Sequence, residues 1–174
     1  MSRYLLSLLL IGIALAQAGC GDLSDVWGNP QDRAKQGLSD YDAKPFEIGP
    51  ASDWAEDGLY LDYVNSHKVA IKTSYGMLVA ILLINPETGS TVQYDRTANL
   101  FRDPQSNDTF TTDGLKWGGA EDRPSLPRCR IRHLGPLDDP DVGLVIDPGK
   151  LFRQEDQQWS KAASNHLFVD PDGE

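Results

Sequence analysis

Apolar and polar positions begin to alternate at Phe46 and Ile48, and from there the chain reads as a series of short β-strands. Residues 59–64 form one candidate, closed by Asn65-Ser66, and Val69-Ala70-Ile71 another, closed by Ser74-Tyr75-Gly76. Residues 77–84 are an unbroken apolar run. It is short for a helix, and its Gly and Pro flanks predict a buried strand. Residues 91–94, 100–101, 109–112, 129–132 and 143–146 complete the set. Many short strands separated by turn residues predict an all-β fold, an antiparallel sandwich or barrel. No internal repeat or low-complexity block stands out.

The two ends of the chain carry different patterns. Residues 1–19 have a basic start at Arg3, an apolar run over 5–15 too short to span a bilayer, and small residues leading to Gly19-Cys20. This ending resembles a bacterial lipoprotein signal, although Gln17 stands where an aliphatic or small residue is usual. The resemblance implies that Cys20 is acylated (palmitate among the chains), becomes the first mature residue and anchors the chain to the bacterial membrane on the periplasmic side. Gly21 replaces the aspartate of the usual inner-membrane retention signal, which favours the outer membrane. The alternative is a plain signal peptide cleaved near Ala18. Residues 20–45, rich in Gly, Pro, Asp and Lys, read as a lipidated flexible tether with a short helical turn near 32–38. Residues 46–133 read as the β domain. Residues 134–174 read as an irregular C-terminal extension that packs Leu151, Phe152 and Trp159 on the domain and ends in a disordered acidic tail.

Charge narrows the partners. The whole chain carries −10, and after removal of residues 1–19 there are 15 basic against 26 acidic side chains, or −11 over 155 residues. Nucleic acid and anionic lipid headgroups are poor partners for such a charge, no nucleic-acid binding is expected, and basic proteins and divalent cations fit better. With Cys20 lipidated, Cys129 is the single remaining cysteine, so no internal disulfide forms and the core alone holds the fold.

Between Val79 and Arg128 several residues fall into a fixed order. Asn85-Pro86-Glu87 is followed by Asp103-Pro104-Gln105-Ser106, with fifteen residues between Glu87 and Asp103. Phe101 precedes the second segment and Phe110 follows it. Asp113-Gly114 makes the next turn, and Gly118-Gly119-Ala120 leads to Arg123-Pro124. This register resembles the Rieske iron–sulfur domain family over residues 46–132, about half the chain. In that family Cys-x-His stands on one loop and Cys-Pro-x-His on the other, and the four ligands hold a two-iron cluster. The resemblance implies a Rieske-like fold with two loops at one tip. The positions matching the cluster ligands are Asn85, Glu87, Asp103 and Ser106, and those of the two loop-tying cysteines are Ser90 and Gln105. None is Cys or His, and thiolates are what an iron–sulfur cluster requires. His67, His133 and His166 lie outside both loops. No cofactor is therefore expected.

Several functions remain open on that frame. The leading one is a non-redox binding or accessory subunit for an unknown protein partner, in the setting of a membrane-associated redox complex; this rests on fold analogy. A second is a hard-cation site in which Glu87, Asp103 and Asp108 supply oxygen ligands to Ca²⁺. A third is electron transfer with ligands supplied by a partner. A fourth is a hydrolytic enzyme, although no nucleophile–base order is visible and the chain is expected not to be one. Candidate partner contacts are Trp117, for which core packing is the alternative, and the stripe Arg128, Arg130 and Arg132, which strand alternation places on one face opposite Cys129, Ile131 and His133; the leading reading of the stripe is internal pairing with Asp or Glu, with a docking surface second.

Overall fold

The computed structural model describes residues 44–118, 124–136, 139 and 141–168. The fold is all-β, built from two antiparallel sheets. The larger, curled into a half-barrel, has seven strands. β1 (Phe46–Pro50), β10 (Gly143–Phe152), β9 (Arg128–His133), β4 (Met77–Leu82), β3 (Val69–Ser74) and β2 (Gly58–Tyr60) lie side by side in that order, and β11 (His166–Leu167) also pairs with β4. The smaller sheet runs β5 (Gln93–Asp95), β6 (Leu100–Arg102), β7 (Thr109–Phe110) and β8 (Lys116–Trp117).

The β3–β4 hairpin is the centre of the large sheet. Its strands pair without a break from Val69↔Leu82 to Ser74↔Met77. The two-residue turn between them, Tyr75-Gly76, has positive φ at both positions (52° and 68°). That geometry matches the twist of the strands it joins. The reason β4 is apolar throughout is that both of its faces are covered. Leu78, Ala80 and Leu82 enter one core, with Ile48, Trp54, Val69, Ile71, Cys129, Ile131, Leu144 and Ile146. Val79 and Ile81, with Leu83 just beyond the strand, enter a second core with Ala70, Val92, Phe101, Phe110 and Leu126. Phe101 and Phe110 are cross-strand partners in the small sheet. The second core therefore fixes the small sheet on the outer face of the large one.

Four expectations need correction. The strand expected over 59–64 ends at Tyr60, and α1 (Val64–His67) follows. Tyr60 and Tyr63 pack on the first core while Leu61 and Val64 pack on the second. Both pairs are three residues apart, so a helical turn serves the two cores and an extended strand would not. The strand expected over 109–112 stops at Phe110, because Thr111 and Gly114 open a turn (Gly114 N–H to Thr111 O, 2.9 Å) that leads into β8. The segment from 134 onward is no irregular extension over its described part. β10 lies between β1 and β9, and Pro148-Gly149 sits in a bulge where the register shifts between Asp147 and Leu151. Proline is tolerated in a strand at such a bulge, so Leu151 and Phe152 resume pairing. Of the Arg128–Arg132 stripe only Arg128 is buried, so the three do not form one open docking face. Arg128 is 7% exposed with its guanidinium 4.1 Å over the Trp159 ring, Arg130 pairs with Asp147, and only Arg132 is exposed. Cys129 is fully buried, and burial pushes its thiol pKa up. The signal segment, tether, helical turn near 32–38 and acidic tail lie outside the described residues. Among those described, no helix is long and apolar enough to cross a membrane.

Candidate functional site

Two loops leave the second core side by side, 84–91 between β4 and β5 and 103–108 between β6 and β7. Each is built from the same local parts. Asn85 N–H bonds Ser90 O (2.9 Å), and Asp103 N–H bonds Asp108 O (2.8 Å). Gly89 N–H returns to Asn85 O, and Asn107 N–H to Asp103 O. Glu87 N–H bonds the Asn85 side-chain oxygen, and Gln105 N–H bonds an Asp103 side-chain oxygen. Ser90 N–H bonds Thr88 Oγ1, and Asp108 N–H bonds Ser106 Oγ. Gly89 and Asn107 both have positive φ (73° and 60°), where Gly and Asn are the favoured residues.

The local sequences explain the match. Asn-Pro-Glu-Thr-Gly-Ser and Asp-Pro-Gln-Ser-Asn-Asp share the order Asx, Pro, any residue, Ser or Thr, then Gly or Asn. Each Asx side chain folds its own loop through an Asx turn, and each hydroxyl caps the loop's last amide. A short internal repeat, eighteen residues apart, is thus present where no repeat was expected.

The loops are then joined through their side chains. Asp103 Oδ2 accepts from Asn85 Nδ2 (2.6 Å), Thr88 Oγ1 (2.6 Å) and Ser106 Oγ (3.0 Å). Asp103 Oδ1 accepts from Ser90 Oγ (2.5 Å) and Gln105 N–H (2.8 Å). Asn85 Nδ2 and Ser106 Oγ also reach Asp108 Oδ2, at 3.2 and 2.7 Å. Asn85 and Asp103 are both 0% exposed. Burial alone raises the Asp103 pKa. Hydrogen bonds from Ser90, Thr88, the Gln105 amide and Asn85 outweigh it and hold the carboxyl well below the usual carboxylate range. Asp108 is lowered in the same way: burial raises it, and bonds from Lys116, Ser106 and Asn85 prevail.

Lys116 completes the cluster. Its partner across the small sheet is Phe110, and its ammonium lies 5.0 Å from that ring's centroid. Nζ is 2.6 Å from Asp108 Oδ1 and 3.1 Å from Glu87 Oε2, on a side chain 6% exposed. This cation neutralises the outer edge of an acidic cluster that would otherwise repel itself.

Asn85, Asp103 and Ser106 therefore touch one another directly, while Glu87 joins through Lys116. Ser90 and Gln105 both bond the same Asp103 oxygen. Thr88 and Lys116 were not anticipated. The Asx-Pro repeat would have pointed to Thr88, whereas only the β7–β8 register places Lys116. Trp117 is 60% exposed on β8 beside the second loop, with Leu115 36% exposed next to it.

The donor set does not fit an iron–sulfur cluster. It offers carboxylate, amide and hydroxyl, and the Asp103 oxygens already face five donors, of which Ser106 shares its one hydrogen with Asp108. It fits Ca²⁺ poorly as well. An ion at Glu87, Asp103 and Asp108 would have to displace Lys116 and strip those donors. Among the described residues, no three or more His, Cys, Asp or Glu side chains are grouped to hold a metal ion. No protein-family model matches the chain, and no curated protein does either.

Proposed function

We propose that this chain is a lipid-anchored, Rieske-like domain that works without a redox cofactor, as a binding or accessory subunit on the periplasmic side of a bacterial outer membrane. The observation that carries the reading is the Asp103 hub. Three of the positions that match the family's cluster ligands, Asn85, Asp103 and Ser106, meet between two loops and bond to each other, and the fourth, Glu87, joins them through Lys116. Side chains that saturate each other's donors and acceptors are built for rigidity and leave no open valence for a metal or a reacting atom.

Rigid loops on a β scaffold are suited to contact. Leu115 and Trp117, exposed at the edge of the small sheet, give that surface an apolar anchor of the kind found at interface centres. Arg128 and Arg130 are spoken for within the fold, so a docking stripe of arginines forms no part of this reading. The placement beside a membrane-bound redox complex rests on fold analogy alone.

The test is iron and acid-labile sulfide, with a visible spectrum, on the full chain purified in detergent. A colourless protein without stoichiometric iron is expected, before and after incubation with iron and sulfide. A stoichiometric cluster would return electron transfer as the function. Anchoring has its own readout. Palmitate label and membrane association are both expected on the wild-type chain and both lost in Cys20→Ser. Label-free wild-type protein would remove the lipoprotein part of the proposal while leaving the domain's reading intact.

A further inference from the structure

The C-terminal strand is held to the large sheet by few bonds. β11 pairs with β4 over two residues, His166↔Leu78 and Leu167↔Met77, and Phe168 N–H bonds Gly76 O at 2.9 Å. It meets the Met77–Leu78 end of β4, whereas β9 pairs with β4 only at Ile81↔Arg128. At the end of β9, His133 Nε2 lies 2.9 Å from His166 Nδ1. His166 is 6% exposed, and the Phe168 ring meets it edge-on at 4.8 Å. One imidazole pair thus ties β11 to β9.

Among the described residues, no acidic side chain pairs with either histidine or shifts its pKa. Arg132 points to the opposite face of β9 by alternation. Leu144 stands opposite His133 on β10, and β4 offers Leu78 and Met77. The adjoining turn, Ala162–Ser164, carries no charged side chain. Cys129, on the same face of β9, is kept neutral by burial. Burial lowers the pKa of both histidines, and the charge of His133 lowers that of His166 further.

The bond needs one facing nitrogen to donate and the other to accept. A first proton on the donor ring's outer nitrogen leaves N–H···N intact. A second has only the accepting lone pair to occupy, and it sets two N–H groups and two positive charges face to face.

We propose that the His133–His166 pair is an acid-opened latch whose double protonation releases β11 and bares the edge of β4 at Gly76–Leu78. A bared edge is a template for a further strand. The sign follows from linkage. Both histidines have folded values below the ordinary 6.5. The stability they contribute is present above that value and lost as pH falls through their depressed values.

The test is amide hydrogen exchange of the full chain in detergent, expressed as protection factors at about pH 7.5 and about pH 4.5, together with imidazole ¹⁵N shifts. Protection of the Phe168 amide is expected to fall on the order of tenfold or more, in step with the second imidazole proton, while Ile71 and Leu144 change little. A His133→Gln, His166→Gln pair keeps a donor and an acceptor but takes no proton. It is expected to remove the pH dependence, whether its strand stays docked or stays free at both values. Phe168 protection that does not change in the wild type, that follows a carboxylate step, or that keeps its pH dependence in the double variant would overturn the latch.

Discussion

Asp103→Ala will destabilise the domain by about 3–5 kcal/mol, a fall in melting temperature on the order of 10 °C. The side chain removed is small, so lost packing is a minor part of the effect. What remains is the larger part: the buried Asn85 amide loses its shortest partner and keeps Asp108 and Ser106, and the part-buried Thr88 and Ser90 hydroxyls lose their carboxylate acceptor and keep each other. Each bond lost was to a charged acceptor, the kind worth about 1.5–3 kcal/mol. Asp103→Asn tests the same hub with shape preserved. It puts an NH₂ where one oxygen receives only donors, and it is expected to cost about half as much. Chemical denaturation at neutral pH measures both. A loss below about 1 kcal/mol for Asp103→Ala would mean that the two loops are not held by this residue.

The pH dependence of that difference has a definite sign. The folded Asp103 pKa lies below the ordinary aspartate value of 3.8. Its contribution is therefore complete above that value and is lost as pH falls below it toward the folded pKa. Wild type and Asp103→Asn are expected to converge in stability on acidification through that window. The histidine latch has its own window, which opens below the ordinary 6.5.

Phe101→Ala is the second large effect, about 3–5 kcal/mol. Phe101 is fully buried, faces Phe110 across the small sheet and lies 5.7 Å from the Tyr94 ring. Removing it opens a cavity in the core that joins the two sheets, and that core is what carries both loops. Asp103 follows two residues later, so the hub should loosen too. Amide protection at Asn107 and Gly89, whose N–H groups close the loops, is expected to drop before global unfolding. Phe101→Leu keeps most of the volume and should cost about 1–1.5 kcal/mol. If Phe101→Ala left loop protection unchanged, the hub would be self-supporting and independent of the core beneath it.

Local patterns were legible from the residues themselves. An apolar run over 77–84 announces a buried strand because both faces of β4 need covering, and Tyr75-Gly76 marks its hairpin because few residues accept positive φ. The alternation 128–133 correctly separates the arginine face from the Cys129 face, since strand side chains reverse at every residue. Asn85-Pro86 and Asp103-Pro104 announce turns, because the Asx side chain folds back on its own amides. The boundaries that failed, at Tyr60 and around Pro148-Gly149, lie where a helical turn or a bulge serves the packing as well as the expected pattern.

What each side chain does was decided by the tertiary structure. Ser90 meets Asp103 across 13 residues, Lys116 meets Glu87 across 29, and His133 meets His166 across 33. Arg128, on the face a sequence assigns to solvent, is covered by Trp159. Periodicity acts over a few residues, so it placed most of the strands from sequence alone, while the two loops were expected from the fixed order of residues between Asn85 and Ser106. Hydrogen bonds between loops depend on how the second core sets one sheet against the other. That placement is a property of the packed chain, and no short stretch of sequence carries it.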